Sequence, residues 1–600
     1  MYYYNPWNLD YKQPFGAIKV GNSMSLRFTT DQPSVLVTCV IRRDFGKRYE
    51  FSMTKDSGGD FRITIPFDEE PGLYFYHFEI VESSDLGETR RFYGCSGIGG
   101  EGLLYTDEND VKPYQLTVFE KEDQAPSWYR EAVFYQIFPD RFYNGNENGQ
   151  INHPKPNSFI YGRKTDSPFY VKEENGDIAR WDFFGGNLRG IIKKIPYLKE
   201  LGINAIYLNP IFSGTSNHRY DTNDYLKIDS MLGRQEDFEE LIQLLHQEKM
   251  HLVLDGVFSH VGKNSLYFNI NGDYGDDEGA AKNPDSPYFD WFKFENYPFE
   301  YKSWWGIKDL PEIDKDNDSF RNFIYGEKNS VLAKWNDLGI DGWRLDVADE
   351  LPDSFIKGIR ENLDSYSDKI LIGEIWEDAS NKISYGKRRN YILGGSLQAA
   401  MNYPFRDLII NLLNGHRSSQ DVAHQLMTLQ ENYPKDIFYN NLNNLGTHDT
   451  ERILTMVGEK NLSVALAMLF VLPGIPCIYY GDEAGLSGGK DPENRKYFPW
   501  DNISPNVYNA YKSWTQKRLS ENSLKYGEFS TFFTDRLLGI LRYTDSEVFV
   551  ELINPSEDEL NIEVQEITFL QNLKFLPELK KLLTEKVISG KTNLELKMKI

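Results

Sequence analysis

The chain has 600 residues, 40% of them hydrophobic and 26% charged, an ordinary soluble balance that rules out a disordered or collagen-like protein. Ninety acidic residues against 66 basic ones leave a formal charge of −24, and no Lys/Arg cluster interrupts it, which argues against nucleic acid as a partner. Cys39, Cys95 and Cys477 are far apart and odd in number, and fit neither a disulfide framework nor a zinc site.

The start, Met1-Tyr2-Tyr3-Tyr4-Asn5-Pro6-Trp7, lacks the basic run and apolar core of a secretory leader, so the expected location is cytoplasmic. Residues 1–122 read as a β-sandwich. Short alternating runs recur at Ser34-Val35-Leu36-Val37-Thr38-Cys39-Val40 and Phe61-Arg62-Ile63-Thr64-Ile65, and Pro71-Gly72 turns into another strand. The polar run 120–126 reads as a linker.

From residue 127 the pattern changes to short apolar strands alternating with helical stretches such as 188–201 and 235–248. Strands are expected to end near Phe138, Asn209, Asp255, Asp346, Glu374, Met401, Asn444 and Tyr480. Eight such units over 127–515 predict a (β/α)8 TIM barrel. The insertion at 261–317, rich in Asn, Asp, Gly and aromatics, is expected to form a small subdomain after the third strand, because structureless loops of that length are uncommon. Residues 462–480 are nearly all apolar, but Pro473-Gly474-Ile475-Pro476 breaks them short of the ~20 residues of a membrane span. They read as a buried helix followed by a buried strand, and no membrane association is expected. After 520 the strand signal returns and predicts a C-terminal antiparallel β-domain over 520–600.

In a TIM barrel the reactive groups stand at the C-terminal ends of the strands. Strand three ends in Asp255-Gly256-Val257-Phe258-Ser259-His260. Strand four runs Gly342-Trp343-Arg344-Leu345-Asp346, strand five ends in Gly373-Glu374-Ile375-Trp376, and strand seven in Gly446-Thr447-His448-Asp449. A single Asp at a strand end is often only a helix cap. Three carboxylates, two His and one Arg on four strand ends are unlikely to be six separate caps. Asp341, on the face opposite Gly342, reads as a brace of the barrel.

This set suits glycoside hydrolysis, which needs a general acid and a second carboxylate across the anomeric carbon. Neighbouring strands lie about 4.8 Å apart, so Asp346 and Glu374 are within reach of the ~5–5.5 Å spacing of a retaining enzyme. Arg344 is two residues before Asp346 on the same face and is expected to keep it ionised. Glu374 must hold a proton at rest, and Asp449 could raise its pKa and bind sugar hydroxyls. His260 and His448 could donate to hydroxyls near the transition state. The aromatic content of 14% fits either large cores or surfaces that stack on sugars.

These four segments resemble the signature regions of the α-amylase family of retaining glycoside hydrolases, glycoside hydrolase family 13. The resemblance covers about residues 128–515 and is finer to the cyclomaltodextrinase, neopullulanase and maltogenic amylase group. It implies Asp346 as nucleophile, Glu374 as acid/base and Asp449 as transition-state stabiliser. It implies substrate binding by Arg344, His260, His448, His218, Tyr220 (a stacking platform), Trp376, Glu350, Asp491 and Arg495. The segments Asn217-His218-Arg219-Tyr220-Asp221, Ser303-Trp304-Trp305-Gly306 and Met401-Asn402-Tyr403-Pro404-Phe405 resemble that group as well. So does the position of an N-terminal, starch-binding-like β-module before the barrel.

Several features depart from the family. Ser259 replaces an Asn that ligates calcium in many relatives, and Asp349 replaces the more usual Asn before Glu350. A second calcium site of the group would fall on Asn144, Asn146, Asn148, Gly185 and Asn187, where neutral amides lower the affinity and an Asn/Gly-rich turn is the competing reading. The chemistry itself requires no cofactor. The resemblance further implies α-1,4 hydrolysis, with some α-1,6 tolerance, of cyclodextrins, pullulan and maltooligosaccharides. It also implies a homodimer in which the N-terminal domain covers the partner's cleft. The alternatives are an α-amylase acting on starch, or an exo-acting α-glucosidase or transglycosylase with the same catalytic residues. A binding protein that has lost catalysis would usually lack one of the three carboxylates.

Overall fold

The computed structural model describes residues 1–68, 70–84, 87–174 and 176–600. Eight parallel strands form its centre: β1 (Phe134–Ile137), β2 (Ala205–Leu208), β3 (His251–Gly256), β4 (Gly342–Leu345), β5 (Ile370–Gly373), β6 (Ala399–Ala400), β7 (Leu442–Asn444) and β8 (Ile475–Tyr479). Their order is β6-β5-β4-β3-β2-β1-β8-β7, and a parallel bridge from Met401 to Leu442 closes the ring between β6 and β7. Each strand ends within one residue of the position expected from its hydrophobic run.

The helix Leu188–Leu201 shows why these segments fold as they do. Leu188, Ile191, Ile195, Leu198 and Leu201 recur at helical spacing and are all buried against the barrel. Asn187 caps the start by accepting from Gly190 N, and Gly202 ends the helix at φ 89°, the left-handed region that glycine tolerates. In β4 a glycine is needed for a different reason. A Cβ on Gly342 would lie 2.3 Å from the Ile370 carbonyl of the next strand. Asp341, just before it, accepts from Leu252 N, His246 Nε2 and His251 Nδ1. Burial works against its charge, yet those hydrogen bonds bring it down to about 2, so an ionised Asp341 ties β4 to β3 at the end away from the site.

The helix Ile453–Val471 is, among the described residues, the one long and apolar enough to cross a membrane, but most of it is buried in the barrel wall. The strand Ile475–Tyr479 follows it directly.

Two insertions stand over the C-terminal ends of the strands. The one after β3 has its own aromatic core, with Phe268 against Phe292, Phe294 and Tyr301. A second, between β1 and the helix Leu188–Leu201, carries the short strands Phe159–Ile160, Val171–Lys172, Ile178–Arg180 and Asp182–Phe183.

Before the barrel lie a five-stranded and a seven-stranded sheet enclosing Tyr4, Phe28, Tyr76 and Phe78. They are pinned to the barrel helix Ser419–Asn432: Trp7 Nε1 donates to Glu431 Oε2 at 2.8 Å and Lys12 pairs with the same carboxylate. After the barrel, a five-stranded sheet runs Thr568–Phe569, Glu528–Phe533, Leu538–Tyr543, Glu547–Asn554, Thr592–Lys599, with antiparallel pairing throughout.

Candidate active site

The ends of β3, β4, β5 and β7 meet in a cavity of about 1150 Å³ lined by Asp346, Glu374, Asp449, His260, His448 and Tyr220, among others. Register brings the charges together. Asp255 on β3 is level with Arg344 on β4, and Leu345 is level with Gly373 on β5. The next rung places Asp346 beside Glu374, one strand spacing away.

Arg344 is fully buried and holds three carboxylates. Nη1 donates to Asp255 Oδ1 at 2.7 Å and to Asp346 Oδ1 at 2.9 Å. Nη2 lies 2.7 Å from Glu374 Oε2, a charge contact that is off the line of a hydrogen bond. Glu374 instead accepts from Val347 N at 2.8 Å and from Trp376 Nε1 at 3.0 Å. Val347 sits at φ 36°, an outlier for a β-branched residue, and that strained turn is what aims its N–H at Glu374.

The electrostatics differ from the simple expectation that Arg344 keeps Asp346 ionised. Burial pushes Asp346 well above the ordinary carboxylate range; Arg344 pulls it down, and Glu374, Asp255 and Asp449 push it up again. One guanidinium shared by several carboxylates does not neutralise them all, so the proton affinity of Asp346 and Asp255 is raised despite it. Asp449 presents 35% of its side chain to the cavity but lies deep in the cleft. Loss of bulk water, then Glu374, raises it to about 7.

The two histidines are held as neutral rings by burial. His260 meets Ser259 Oγ at 2.8 Å through Nδ1 and the Tyr220 carbonyl at 3.1 Å through Nε2. A neutral ring has one N–H, and only Nε2 faces a pure acceptor, so that proton goes to the carbonyl rather than to a sugar hydroxyl. Ser259 is likewise occupied. Gln136 Nε2 donates to His448 Nδ1, which leaves the Nε2 proton for Tyr220 Oη at 2.6 Å or Asp449 Oδ2 at 3.1 Å. His260 and His448 thus position their neighbours.

Tyr220 lies flat against His448 at 5.2 Å and its hydroxyl donates to Asp255. His218 binds Ser216 Oγ and Tyr220 N through Nδ1 and meets Trp181 edge-on. Arg495 bridges Asp491 at 3.0 Å and Asp449 at 3.5 Å, and its Nε donates to the His448 carbonyl. Trp376 stacks on Tyr403 at 4.0 Å and is 43% exposed. Glu350 sits at the rim, where it accepts from Trp305 Nε1 at 3.0 Å and from the Tyr385 hydroxyl. Asp349 pairs with Lys382 at 3.2 Å. The sequence reading left Asp255, Tyr170, Trp181 and Tyr385 out of the site. Asp255 stood in the motif, but its tie to Arg344 needed the register; the other three come from loops with no periodicity to mark them.

Asn144, Asn146, Asn148, Gly185 and Asn187 come together in the loop after β1, but as they stand they do not fit a calcium ion. Asn144 Nδ2 donates to the Gly149 and Gln150 carbonyls, and Asn146 Nδ2 to the Gln150 carbonyl and Asn152 Oδ1. Asn148 Oδ1 accepts from Gln150 N. Asn187 Oδ1 is taken by Gly145 N and Gly190 N, and Gly185 N donates to Asp140. The carbonyls that a hard cation would want face amide donors instead. Among the described residues no group of three or more His, Cys, Asp or Glu could hold a metal.

Comparison with known proteins agrees with this geometry. Residues 136–525 match the family model for the alpha amylase catalytic domain. An amylopullulanase of Thermoanaerobacterium saccharolyticum is 35% identical over 94% of this chain, which spans only 49% of that protein. The chain therefore covers about half the length of that relative. A cyclomaltodextrinase of Thermoanaerobacter pseudethanolicus is 32% identical over 82% of this chain and 83% of its own. The solved cyclic alpha-maltosyl-(1→6)-maltose hydrolase of Arthrobacter globiformis superposes with a TM-score of 0.67 at 28% identity, covering 79% of this chain and all of that one. With its strand-end carboxylates gathered on one arginine and its sequence matched across the barrel, the chain belongs to the alpha-amylase family of glycoside hydrolases.

Proposed function

We propose that the protein hydrolyses α-1,4-glucosidic bonds, with some α-1,6 tolerance, in cyclodextrins, pullulan and maltooligosaccharides, and that it does so with retention of configuration. The observation that carries this reading is the placing of Asp346 and Glu374 at the same level on adjacent strands, both touching Arg344, in a cavity walled by Trp181, Trp304, Trp305 and Trp376. The names of similar proteins support the substrate class.

In the first step an Asp346 oxygen attacks the anomeric carbon as Glu374 delivers its proton to the leaving oxygen, giving a glycosyl ester and a free chain end. In the second, Glu374 takes a proton from water, the hydroxide oxygen bonds to the anomeric carbon, and Asp346 leaves. Asp449, held by His448 and Arg495, binds hydroxyls of the ring between them. Asp346 attacks as the carboxylate, its proton passing to Glu374, its neighbour on Arg344; Glu374 then delivers it to the leaving oxygen.

The test is a reducing-sugar assay on the three substrate types, with proton NMR of the first product. Release of α-anomers is expected; β-anomers or no release would reject the reading. Glucose as the earliest product would favour an exo-acting α-glucosidase, and faster attack on starch an α-amylase.

We propose cytoplasmic action, supported by three free thiols that a reducing compartment tolerates. We propose dimerisation through the N-terminal sheets, supported by exposed Leu36 and Phe45 on their surface. We also propose that the Asn-rich loop holds without calcium, so a chelator should leave the melting temperature within about 1 °C.

A further inference from the structure

A second cavity, of about 760 Å³, lies between the N-terminal sheets and the barrel. That volume falls in the ~300–1,000 Å³ range of small-molecule sites. Trp376 and Glu377 line both this cavity and the catalytic cleft, so the two share a wall. With one face of the Trp376 indole covered by Tyr403, its exposed surface is the boundary between them.

The polar groups of this cavity are already in position. Asn381 Nδ2 donates to Gln115 Oε1 at 2.9 Å, and Gln115 Nε2 donates to Ser380 Oγ at 2.9 Å. Asn432 Nδ2 donates to Asp378 Oδ2 at 3.1 Å. This network joins a strand of the N-terminal sheet, the segment after β5 and a barrel helix. Both sides are fixed to each other by the buried Trp7–Glu431 contact nearby, so the cavity is preorganised.

Its chemistry narrows the occupant. Phe75 and Trp376 supply ring faces, and amides that donate and accept stand among them. Carboxylates outnumber the one cation on the lining, Arg417, which disfavours an anion. A neutral, hydroxyl-rich chain whose rings have apolar faces matches all three properties.

We propose that this cavity is a second glucan-binding site that continues the catalytic cleft past Trp376. Glu374 protonates the leaving oxygen, so the departing chain lies on the Glu374 and Trp376 side, and the N-terminal domain of the same molecule grips its far end. The inference rests on the proposed glucan hydrolysis and adds a preference for long chains.

Two measurements on the full chain test it. Calorimetric titration of Glu374→Gln, which binds without turnover, with maltose, maltotriose and maltoheptaose should show affinity rising with length. Adding Asn411→Trp, which fills the cavity, or Phe75→Ala, from its opposite wall, should abolish most of that rise. In the active enzyme the same two changes should lower the ratio of kcat/KM for maltoheptaose over maltotriose about tenfold. If Asn411→Trp fails to fold, Phe75→Ala carries the test alone. Equal effects on short and long chains, in variants that melt with their parent, overturn the second site and leave the proposed activity standing. If the parent cleaves no α-glucan, the proposed activity fails, and length-dependent binding by Glu374→Gln still decides the cavity.

Discussion

The floor and the rim of the catalytic cleft are built on opposite terms. On the floor, Asp255, Arg344 and Glu374 are almost completely buried, stand on strand ends and are fixed by register and mutual charge. On the rim, Trp305 is 69% and Tyr385 72% exposed, both come from loops, and they meet through single bonds to Glu350. The floor has to hold developing charge in one geometry, and the barrel provides the rigid, dry setting for that. For the proposed glucan substrates the rim would meet sugars of varied length, a task that apolar ring faces on loops suit.

The comparison predicts four outcomes of decreasing size. Asp346→Asn, on the floor, should lower kcat by about 10⁴-fold or more while the far-UV spectrum is retained, since it removes the proposed nucleophile and leaves the shape. Steady-state kinetics on a maltooligosaccharide would read this; near-normal turnover would take Asp346 out of that role.

Arg344→Leu should cost about 3–5 kcal/mol of stability, because it leaves Asp255, Asp346 and Glu374 buried with no cation between them. Urea unfolding would measure it, and a loss below about 1 kcal/mol would mean that the carboxylates reprotonate freely.

The third outcome concerns pH and lies away from the cleft. Glu551, in the C-terminal sheet, is raised to about 8, chiefly by burial, with Asn593 donating to it and Glu595 and Lys517 nearby. Its folded pKa is above its unfolded one, so the native state binds the extra proton. That contribution is full below the unfolded pKa and is lost as pH rises toward and through about 8. The melting temperature should therefore fall between pH 5 and 9. Glu551→Gln, neutral at every pH, should flatten the fall by an amount on the order of a few kcal/mol at the alkaline end. Parallel melting curves for the two proteins would count against it.

The smallest effect belongs to the rim. Trp305→Ala should raise KM several-fold and change kcat little, because a stacking platform contributes to ground and transition states alike. A fall in kcat with KM unchanged would move Trp305 into the chemistry and erase the contrast between floor and rim.

Much of the floor was readable in the chain. Apolar runs closed by an acid, as in Leu252-Val253-Leu254-Asp255 of β3 and Ile370-Leu371-Ile372-Gly373-Glu374 of β5, let strand ends be placed from the chain, and with them the candidate acids Asp346, Glu374 and Asp449. Asp341 was readable as a brace because it alternates with Gly342. The role of Asp255 was not, because it depends on the level at which β3 pairs with β4. Nor was the commitment of the His260 proton to the Tyr220 carbonyl, which comes from a loop in another unit. Arg344 was expected to leave Asp346 ionised; burial first, and then the carboxylates packed around that one cation, changed the balance.

Local pattern in the amino-acid chain determined which residues become strands, where each strand stops and which acids stand at its tip, because period and turn chemistry act over a few residues. Only the folded molecule decided which tips touch, how protons are divided among them, and that Trp376 separates two cavities. Those depend on register, burial and the approach of segments hundreds of residues apart, which no local pattern encodes.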